Sequence, residues 1–308
     1  MTTLLYSHEA CLDHDPGPHH PESPDRLRAV LAALAADEFA PLLRREAPRA
    51  AREDIARVHP GDLIDALLAA VPASGHVGID ADTIMSPGSG EAALRAAGAV
   101  CAAVDAVVAG EAGNAFCAVR PPGHHAEPRR PMGFCLFNNV AVGALRARDV
   151  HGCRRVAVID FDVHHGNGTQ ALFEDDADLF YASTHQSPLY PGTGASDETG
   201  VGNIVNVPLA PGSGTVPFQR AFNERILPAL ADFRPDFLFI SAGFDAHRRD
   251  PLAQLDLAEA DYTWATGVLA RQAARHCGGR IVSSLEGGYA LDALAASAAA
   301  HVRALMAA

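Results

Sequence analysis

The chain contains no lysine. All 24 of its basic residues are arginine, and they are outnumbered by 37 acidic residues. The formal net charge of -13 leaves no basic surface of the kind that nucleic-acid binding requires, so we expect no nucleic-acid partner. Such a charge favours cationic partners, for example lysine-rich tails or polyamines, but it also simply promotes solubility. Charge alone does not decide between these two interpretations.

Three further features are missing. None of the six cysteines forms a C-x-x-C pair, and their irregular spacing predicts reduced thiols. Residues 1–15 have neither a basic segment nor a long apolar run, so they do not resemble a signal peptide. No stretch of 18 strongly apolar residues occurs, so we predict no transmembrane helix and no membrane partner. Together these absences predict a cytoplasmic protein.

Short apolar runs alternate with alanine- and leucine-rich helical runs along the whole chain. The candidate strands begin at Thr3, Ala115, Arg155, Asp178, Asn203, Asp236 and Arg280. This alternation predicts an α/β protein with a parallel sheet, and the nearly continuous apolar strands indicate a sheet that helices cover on both faces. No repeat, linker or low-complexity segment interrupts the pattern, so we expect one domain spanning residues 1–308.

Polar clusters follow four of the predicted strands. They read Pro-Pro-Gly-His-His, Phe-Asp-Val-His-His-Gly-Asn, Phe-Asp-Ala-His and Glu-Gly-Gly-Tyr. Ligands of open α/β sheets bind at the C-terminal ends of the strands, so these four clusters are expected to meet at one edge. The adjacent histidines His124 and His125 then belong to a site, although a chain with 15 histidines could also contain such a pair by chance.

The segment VIDFDVHHGNG has the pattern of a metal site. Alternate residues of a strand share a face, which puts Asp160, Asp162 and His164 on one side. Asp245, after another strand, offers a further ligand. Two carboxylates and one imidazole leave an open position on a tetrahedral Zn²⁺, as catalysis requires. An isolated D-x-H is often structural, but ionised side chains at the end of a buried strand need a partner.

A two-metal site of the arginase type needs two additional carboxylates, one two residues after the metal-binding histidine and one two residues after the later aspartate. Here these positions are Gly166 and His247. The sequence therefore favours a site with a single metal ion.

Six motifs, in this order, resemble the zinc-dependent histone deacetylases, in particular their class II and bacterial acetylpolyamine-amidohydrolase-like branch. The motifs are HHPESPDR, RPPGHHAEPRRPMGFCLFNN, DFDVHHGNGTQ, STHQSPLYPGTG, SAGFDAH and LEGGY. The resemblance covers most of the chain. It implies the arginase-deacetylase fold, in which helices sandwich a parallel β-sheet and the active site lies at the C-terminal strand ends.

The resemblance implies one zinc ion per chain, held by Asp162, His164 and Asp245. It also implies that His125 acts first as general base and then as general acid, while His124 assists electrostatically nearer the metal.

Each of these histidines has an implied partner. The partner of His124 is Asp160 and that of His125 is Asn167, a neutral residue that should leave His125 less basic than a carboxylate would. Tyr289, after Gly287 and Gly288, is expected to donate a hydrogen bond to the scissile carbonyl. The alternative for Tyr289 is a core tyrosine, but a Gly-Gly pair is rare in core strands.

The same resemblance implies a narrow substrate channel. Phe134 forms one wall, and Tyr190 stands near the opposite wall, where phenylalanine is common. Gly133, Gly287 and Gly288 are also expected to bind substrate. Leu252 occupies a position where polyamine-selective relatives can have glutamate, so it favours a neutral acyl-lysine. Arg26 matches a residue of the internal cavity through which acetate leaves, but it could also be a surface arginine of a helix.

Two structural potassium ions are also implied. The first is expected at Asp160, Asp162, His164, Ser183 and Thr184. The second is expected at backbone carbonyls near Phe173, Asp176, Leu179 and Ile204.

The expected activity is hydrolysis of N-ε-acyl, chiefly acetyl, lysine in a protein or peptide, which releases acetate and free lysine. An acetylpolyamine amidohydrolase, acting on a small acylated amine, is the alternative. A catalytically inactive binding module is a third possibility, but it predicts loss of a ligand, of the histidine pair or of the tyrosine, and none is lost. The sequence does not predict the oligomeric state.

Overall fold

Eight strands of the computed structural model, which describes residues 2–308, pair in one fully parallel sheet. A separate antiparallel pair completes the strand set. In chain order the strands are β1 (Thr3–Ser7), β2 (Leu43–Glu46), β3 (Val77–Gly78), β4 (Ile84–Met85), β5 (Asn114–Cys117), β6 (Val156–Asp160), β7 (Leu179–Gln186), β8 (Ile204–Leu209), β9 (Phe237–Ala242) and β10 (Ile281–Leu285). The sheet order is β2-β1-β5-β10-β9-β6-β7-β8, and β3 pairs with β4. The predicted parallel sheet is therefore confirmed.

Helices connect most of the strands, as the alternation predicted. They are α1 (Pro24–Ala33), α2 (Arg52–Ile55), α3 (Gly61–Ala69), α4 (Ser89–Val108), α5 (Asn139–Asp149), α6 (Asn167–Phe173), α7 (Thr215–Ala221), α8 (Leu227–Phe233), α9 (Glu259–His276) and α10 (Leu291–Met306). No helix among residues 2–308 is long and apolar enough to cross a membrane.

The helices pack on both faces of the sheet. Val282 and Phe239 are neighbours in the sheet, and Phe239 contacts Gly143 of α5 so closely that an added Cβ would lie 3.1 Å from its ring. Ser283, which follows Val282 in β10, is hydrogen-bonded at 2.8 Å to His301 of α10. Since successive strand residues point to opposite faces, α5 and α10 cover opposite sides.

All seven predicted strands occur, but β2 was not predicted. Its four residues are all exposed, and it pairs only with β1 at the edge of the sheet. An exposed edge strand rich in charge carries no buried apolar run, so the sequence gives no strand signal there.

The parallel arrangement places the C-terminal ends of β5, β6, β9 and β10 along the same edge. These four central strands are buried throughout, which fixes their positions firmly. The four polar clusters follow these strands directly, so the fold brings them together.

Candidate active site

Asp162, His164 and Asp245 form a buried cluster of potential metal ligands. One donor atom from each lies within 4.8 Å of the others. Nδ1 of His164 is 3.1 Å from Oδ1 of Asp162 and 3.2 Å from Oδ2 of Asp245. The structure thus brings together the three residues that the sequence predicted as zinc ligands.

The electrostatics of this cluster fit a cation. Burial raises the pKa of Asp245 to about 7, and the neighbouring Asp162 carboxylate adds to that shift. Burial by itself lowers the pKa of His164, but Asp162 and Asp245 outweigh it and raise the pKa to about 10. Two buried carboxylates therefore require a nearby positive charge. A divalent ion bound by one imidazole and two carboxylates would provide that charge.

Backbone N–H groups hold both ligand carboxylates in place. Gly287 donates to Oδ2 of Asp162 at 2.8 Å, and Val163 donates to Oδ1 of Asp245 at 2.8 Å. An added Cβ at Gly287 would overlap the carboxylates of Asp162 and Asp245. Gly287 was predicted to bind substrate, but in the structure it packs against the metal-ligand carboxylates.

The histidine pair lies beside this cluster. The rings of His124 and His125 are 4.0 Å apart between centroids. Nδ1 of His124 is 2.9 Å from Oδ2 of Asp160, and Nδ1 of His125 is 2.9 Å from Oδ1 of Asn167. Both predicted partner pairs are therefore in hydrogen-bond contact.

The surroundings drive the pKa values of the two rings apart. Burial by itself lowers the pKa of His124, but the carboxylates of Asp162 and Asp160 outweigh it and raise the pKa to about 10. Burial also lowers the pKa of His125, and the positive charges of His124 and His164 lower it further, well below 6.5. The site therefore contains one ring that keeps a proton and one that is neutral and can accept a proton.

Glu127, which was not among the predicted site residues, orients Asn167. Nδ2 of Asn167 donates to Oε1 of Glu127 at 2.8 Å. Since a carboxylate only accepts, the amide oxygen must face His125 and accept from its Nδ1–H. Nε2 of His125 is then the free acceptor of the neutral ring.

Glu286 was missed as well. Its Oε2 accepts from the backbone N–H groups of Gly123 at 2.6 Å and His124 at 3.1 Å. This contact ties the loop that carries the histidine pair to the end of β10. The glutamate of the LEGGY motif was the sequence signal for it.

A cavity of about 220 Å³ opens onto these groups. It is lined by Asp82, His125, Gly133, Phe134, His164, Leu189, Tyr190, Leu252 and Tyr289. Four predicted channel residues and Tyr289 are among them, and Leu189 was not foreseen. The Phe134 and Tyr289 rings are 5.9 Å apart, and Tyr190 lies edge-on to His125 at 5.1 Å.

Arg26 and Gly288, two other residues predicted to bind substrate, are not among the described residues that line this cavity. Arg26 is fully buried, which excludes a surface arginine. It donates through Nε to the Gly288 carbonyl and through Nη1 to Glu22 at 2.9 Å, and its guanidinium lies 4.8 Å from the Tyr289 ring centre. Arg26 therefore packs against the loop that carries Tyr289. Burial raises the pKa of Tyr289 well above 10, so its hydroxyl keeps a proton to donate.

Three of the five residues predicted for the first potassium ion lie on neighbouring strands, while Asp162 and His164 follow the end of β6. Asp160 of β6 is directly opposite Ser183 of β7, and Thr184 follows it, also buried. Oγ of Ser183 is 2.9 Å from Nδ1 of His185, and the Tyr181 hydroxyl donates to Oδ2 of Asp160 at 3.2 Å.

Three of the four backbone carbonyls predicted for the second potassium ion converge on the side chain of an asparagine. Those of Phe173, Asp176 and Leu179 point at the side-chain amide nitrogen of Asn203, a residue that was not predicted. Ile204 begins β8 next to it and is not part of this contact.

A buried Asp-His-Asp cluster that could hold a metal ion, a pair of histidines and a tyrosine meet at the strand ends of a parallel sheet, an arrangement suited to the hydrolysis of an amide bond. Comparison with known proteins makes this specific, because residues 20–305 match the model of the histone deacetylase domain. The chain belongs to the histone deacetylase family, as the motifs predicted.

Relatives and a solved structure agree with this membership. The chain is 41% identical to histone deacetylase 14, chloroplastic, of Arabidopsis thaliana over 98% of this chain and 76% of that protein. It is also 41% identical to a histone deacetylase-like amidohydrolase of Pseudomonas aeruginosa, over 93% and 81% respectively. The crystal structure of the HDA15 HD domain superposes with a TM-score of 0.93 at 38% identity, covering 99% of this chain and 88% of that one. The predicted arginase-deacetylase fold is thereby confirmed.

Proposed function

We propose that this chain, as one catalytic domain, removes acyl groups, chiefly acetyl, from the ε-amine of lysine in a protein or peptide. The observation that carries the proposal is that His125, Tyr289 and His164, one of the three clustered candidate metal ligands, line one cavity. Asp162, His164 and Asp245 would hold one zinc ion. When bound, zinc supplies a Lewis acid for the amide carbonyl and lowers the pKa of water.

His125 is the proposed general base. Its Nε2 is free because Nδ1 is bonded to Asn167, and its lowered pKa keeps the ring neutral. It takes the proton from the attacking water and then delivers it to the lysine nitrogen as the C–N bond breaks, so that acetate and the free amine are formed.

His124 and Asp160 form the second dyad. The carboxylates of Asp162 and Asp160 raise the pKa of His124, which favours a positively charged ring close to the reacting atoms. That charge stabilises the negative charge that develops on the carbonyl oxygen, and the Asp160 carboxylate fixes the ring in place.

Tyr289 is the proposed oxyanion donor. Its hydroxyl stays protonated and lines the cavity beside His125. A donor aimed at a developing oxyanion lowers the barrier by about 3 kcal/mol.

The channel supports a neutral acyl-lysine. Phe134 and Tyr190 offer aromatic faces for the four-carbon stem of lysine, and Leu252 adds an apolar wall at the same cavity. An apolar wall gives no charge partner for the second ammonium of a polyamine. Asp82, also at the cavity, can accept an N–H of the substrate. We also propose that Asp160, Ser183 and Thr184 contribute to the site of the first potassium ion.

A side-by-side rate comparison tests the substrate class. The zinc-loaded protein should hydrolyse acetyl-lysine peptides with a higher kcat/KM than acetylspermidine, and longer acyl-lysine peptides define the chain-length limit. The Tyr289→Phe variant is the control for background hydrolysis. Preference for acetylspermidine would assign the polyamine activity instead, and absence of turnover on every amide with one zinc bound per chain would refute the proposal.

A further inference from the structure

Three backbone carbonyls at and just after the end of α6 point at a single atom. Nδ2 of Asn203 is 2.7 Å from the oxygen of Phe173, 2.9 Å from that of Asp176 and 2.6 Å from that of Leu179. Asn203 is only 4% exposed, so its amide lies out of bulk water. We call Phe173, Asp176 and Leu179 the carbonyl ring.

The orientation of the Asn203 amide follows from its contacts. Oδ1 accepts from the backbone N–H of Val201 at 3.2 Å. The reversed amide would place its oxygen against three carbonyl oxygens and its nitrogen against an N–H donor, which is repulsive on both sides. The nitrogen therefore faces the carbonyl ring.

The carbonyl ring is unusual for an amide. An Asn nitrogen carries two hydrogens, fewer than the three oxygens that surround it. Several carbonyl oxygens converging on one point form the environment that binds a dehydrated monovalent cation. The position of the nitrogen is therefore one that a cation could take.

Family resemblance implies a second potassium ion at this same carbonyl ring, but the residues present do not fit one. The ion and the Asn203 nitrogen would need the same position. We infer that Asn203 replaces the second potassium ion in this protein, its N–H groups donating hydrogen bonds to the carbonyl oxygens that would otherwise bind the ion. This inference rests on the geometry of the carbonyl ring and not on the proposed substrate.

The surrounding loop is shaped around this side chain. The Val201 N–H also donates to the carbonyl of Glu174 at 2.9 Å. Gly200 has a φ of 55°, and an added Cβ there would lie 2.6 Å from the Glu174 oxygen and 2.7 Å from Oδ1 of Asn203. The loop therefore packs so closely against the end of α6 that a side chain at Gly200 would overlap its neighbours.

The contact between Asn203 and the carbonyl ring acts on helix α6, which supports the proposed general base His125. Helix α6 begins at Asn167, which holds His125, and ends at Phe173, whose carbonyl belongs to the carbonyl ring. Asn203 therefore fixes the far end of this helix without an ion.

Thallium, which substitutes for potassium and scatters anomalously, tests the inference directly. Crystals of the zinc-loaded protein are grown in a thallium salt and the anomalous map is calculated. We expect no anomalous peak at the carbonyl ring, with Asn203 in place. A thallium peak among the three carbonyls, with the Asn203 side chain turned away, would overturn the inference.

A variant tests whether the amide stands in for an ion. Asn203→Ala is compared with Asn206→Ala, a control in which a buried amide of β8 bonded to Gln170 and Glu198 is removed. The Tm of each zinc-loaded protein is measured in potassium chloride and in tetramethylammonium chloride at equal ionic strength. An ion at the first potassium site raises the Tm equally in all proteins.

Asn203→Ala is expected to show an additional rise in Tm with potassium that the wild type and Asn206→Ala lack. An equal potassium response in all three proteins would mean that the opened carbonyl ring takes no cation, which contradicts the replacement. If Asn203→Ala does not fold, the thallium map of the wild type still decides the question.

Discussion

Replacing Glu22 by glutamine should destabilise the protein strongly, because Glu22 is the counterion of two buried arginines. Glu22, Arg26 and Arg120 are all fully buried. Oε2 of Glu22 accepts from Nη2 of Arg120 at 2.6 Å, and Oε1 accepts from Nη1 of Arg26 at 2.9 Å. Glutamine keeps the shape of the side chain but leaves both guanidinium charges without their partner.

The magnitude follows from the burial. Breaking a buried ion pair by removing one partner costs about 3–5 kcal/mol. An unfolding entropy of about 2.1 cal/mol/K per residue over 308 residues is about 0.65 kcal/mol/K. The Tm of Glu22→Gln should therefore fall by about 5–8 °C, measured by calorimetry at pH 7.

The loss should depend on pH in one direction. Burial by itself raises the pKa of Glu22, but Arg120, followed by His14 and Arg26, outweighs it and holds the pKa well below 4.5. A depressed carboxyl pKa contributes stability above its unfolded value of about 4.5, and that stability is lost as the pH falls toward the folded pKa. The difference in Tm between wild type and Glu22→Gln should therefore shrink below about pH 4.5.

Glu38→Gln is the matched control. Glu38 also binds an arginine, Arg303, through both oxygens at 2.8 Å, but about half of each side chain is exposed. Exposed pairs are screened by water, so this variant should change the Tm only marginally. A Glu22→Gln variant no less stable than Glu38→Gln at pH 7 would refute the reasoning from burial.

Four further predictions concern catalysis and the candidate metal site. Tyr289→Phe should lower kcat by about 10²–10³-fold because it removes one oxyanion donor, and His125→Ala should abolish turnover, with unchanged circular dichroism in both. Full activity in either variant would exclude its assigned role. Gly287→Ala should lower zinc content measured by mass spectrometry, since its Cβ would overlap the carboxylates of Asp162 and Asp245. One zinc per chain in that variant would show that the site can shift to accommodate it. Chelation should abolish amide hydrolysis and zinc should restore it, and hydrolysis that survives complete metal removal would contradict the metal site.

The carboxylate that holds Asn167 illustrates what the sequence leaves open. Glu127 and Asn167 are 40 residues apart, and no periodicity connects them. Glu22 and Arg120 are 98 residues apart, although both lie in recognisable motifs. Such partners are chosen by the way loops meet above the sheet, which local patterns do not encode.

Asn203 shows the same limit for an ion site. The resemblance led to the residues of the carbonyl ring, and their oxygens do converge in the structure. The side chain at their centre could not be foreseen, because it comes from the start of another strand, 24 or more residues along the chain. The channel is similar, because Asp82 reaches the cavity from a loop that lies outside the six motifs.

The sequence by itself determined the layered α/β architecture and the three residues of the candidate metal site. Strand residues alternate with a period of two, and parallel strands end at one edge, so apolar runs followed by polar residues define both the sheet and its site. Only the tertiary structure decided that Glu127 orients Asn167, that Arg26 is buried and that the Asn203 nitrogen lies within the carbonyl ring. These depend on distances between segments remote in sequence, which arise only when the chain has closed on itself.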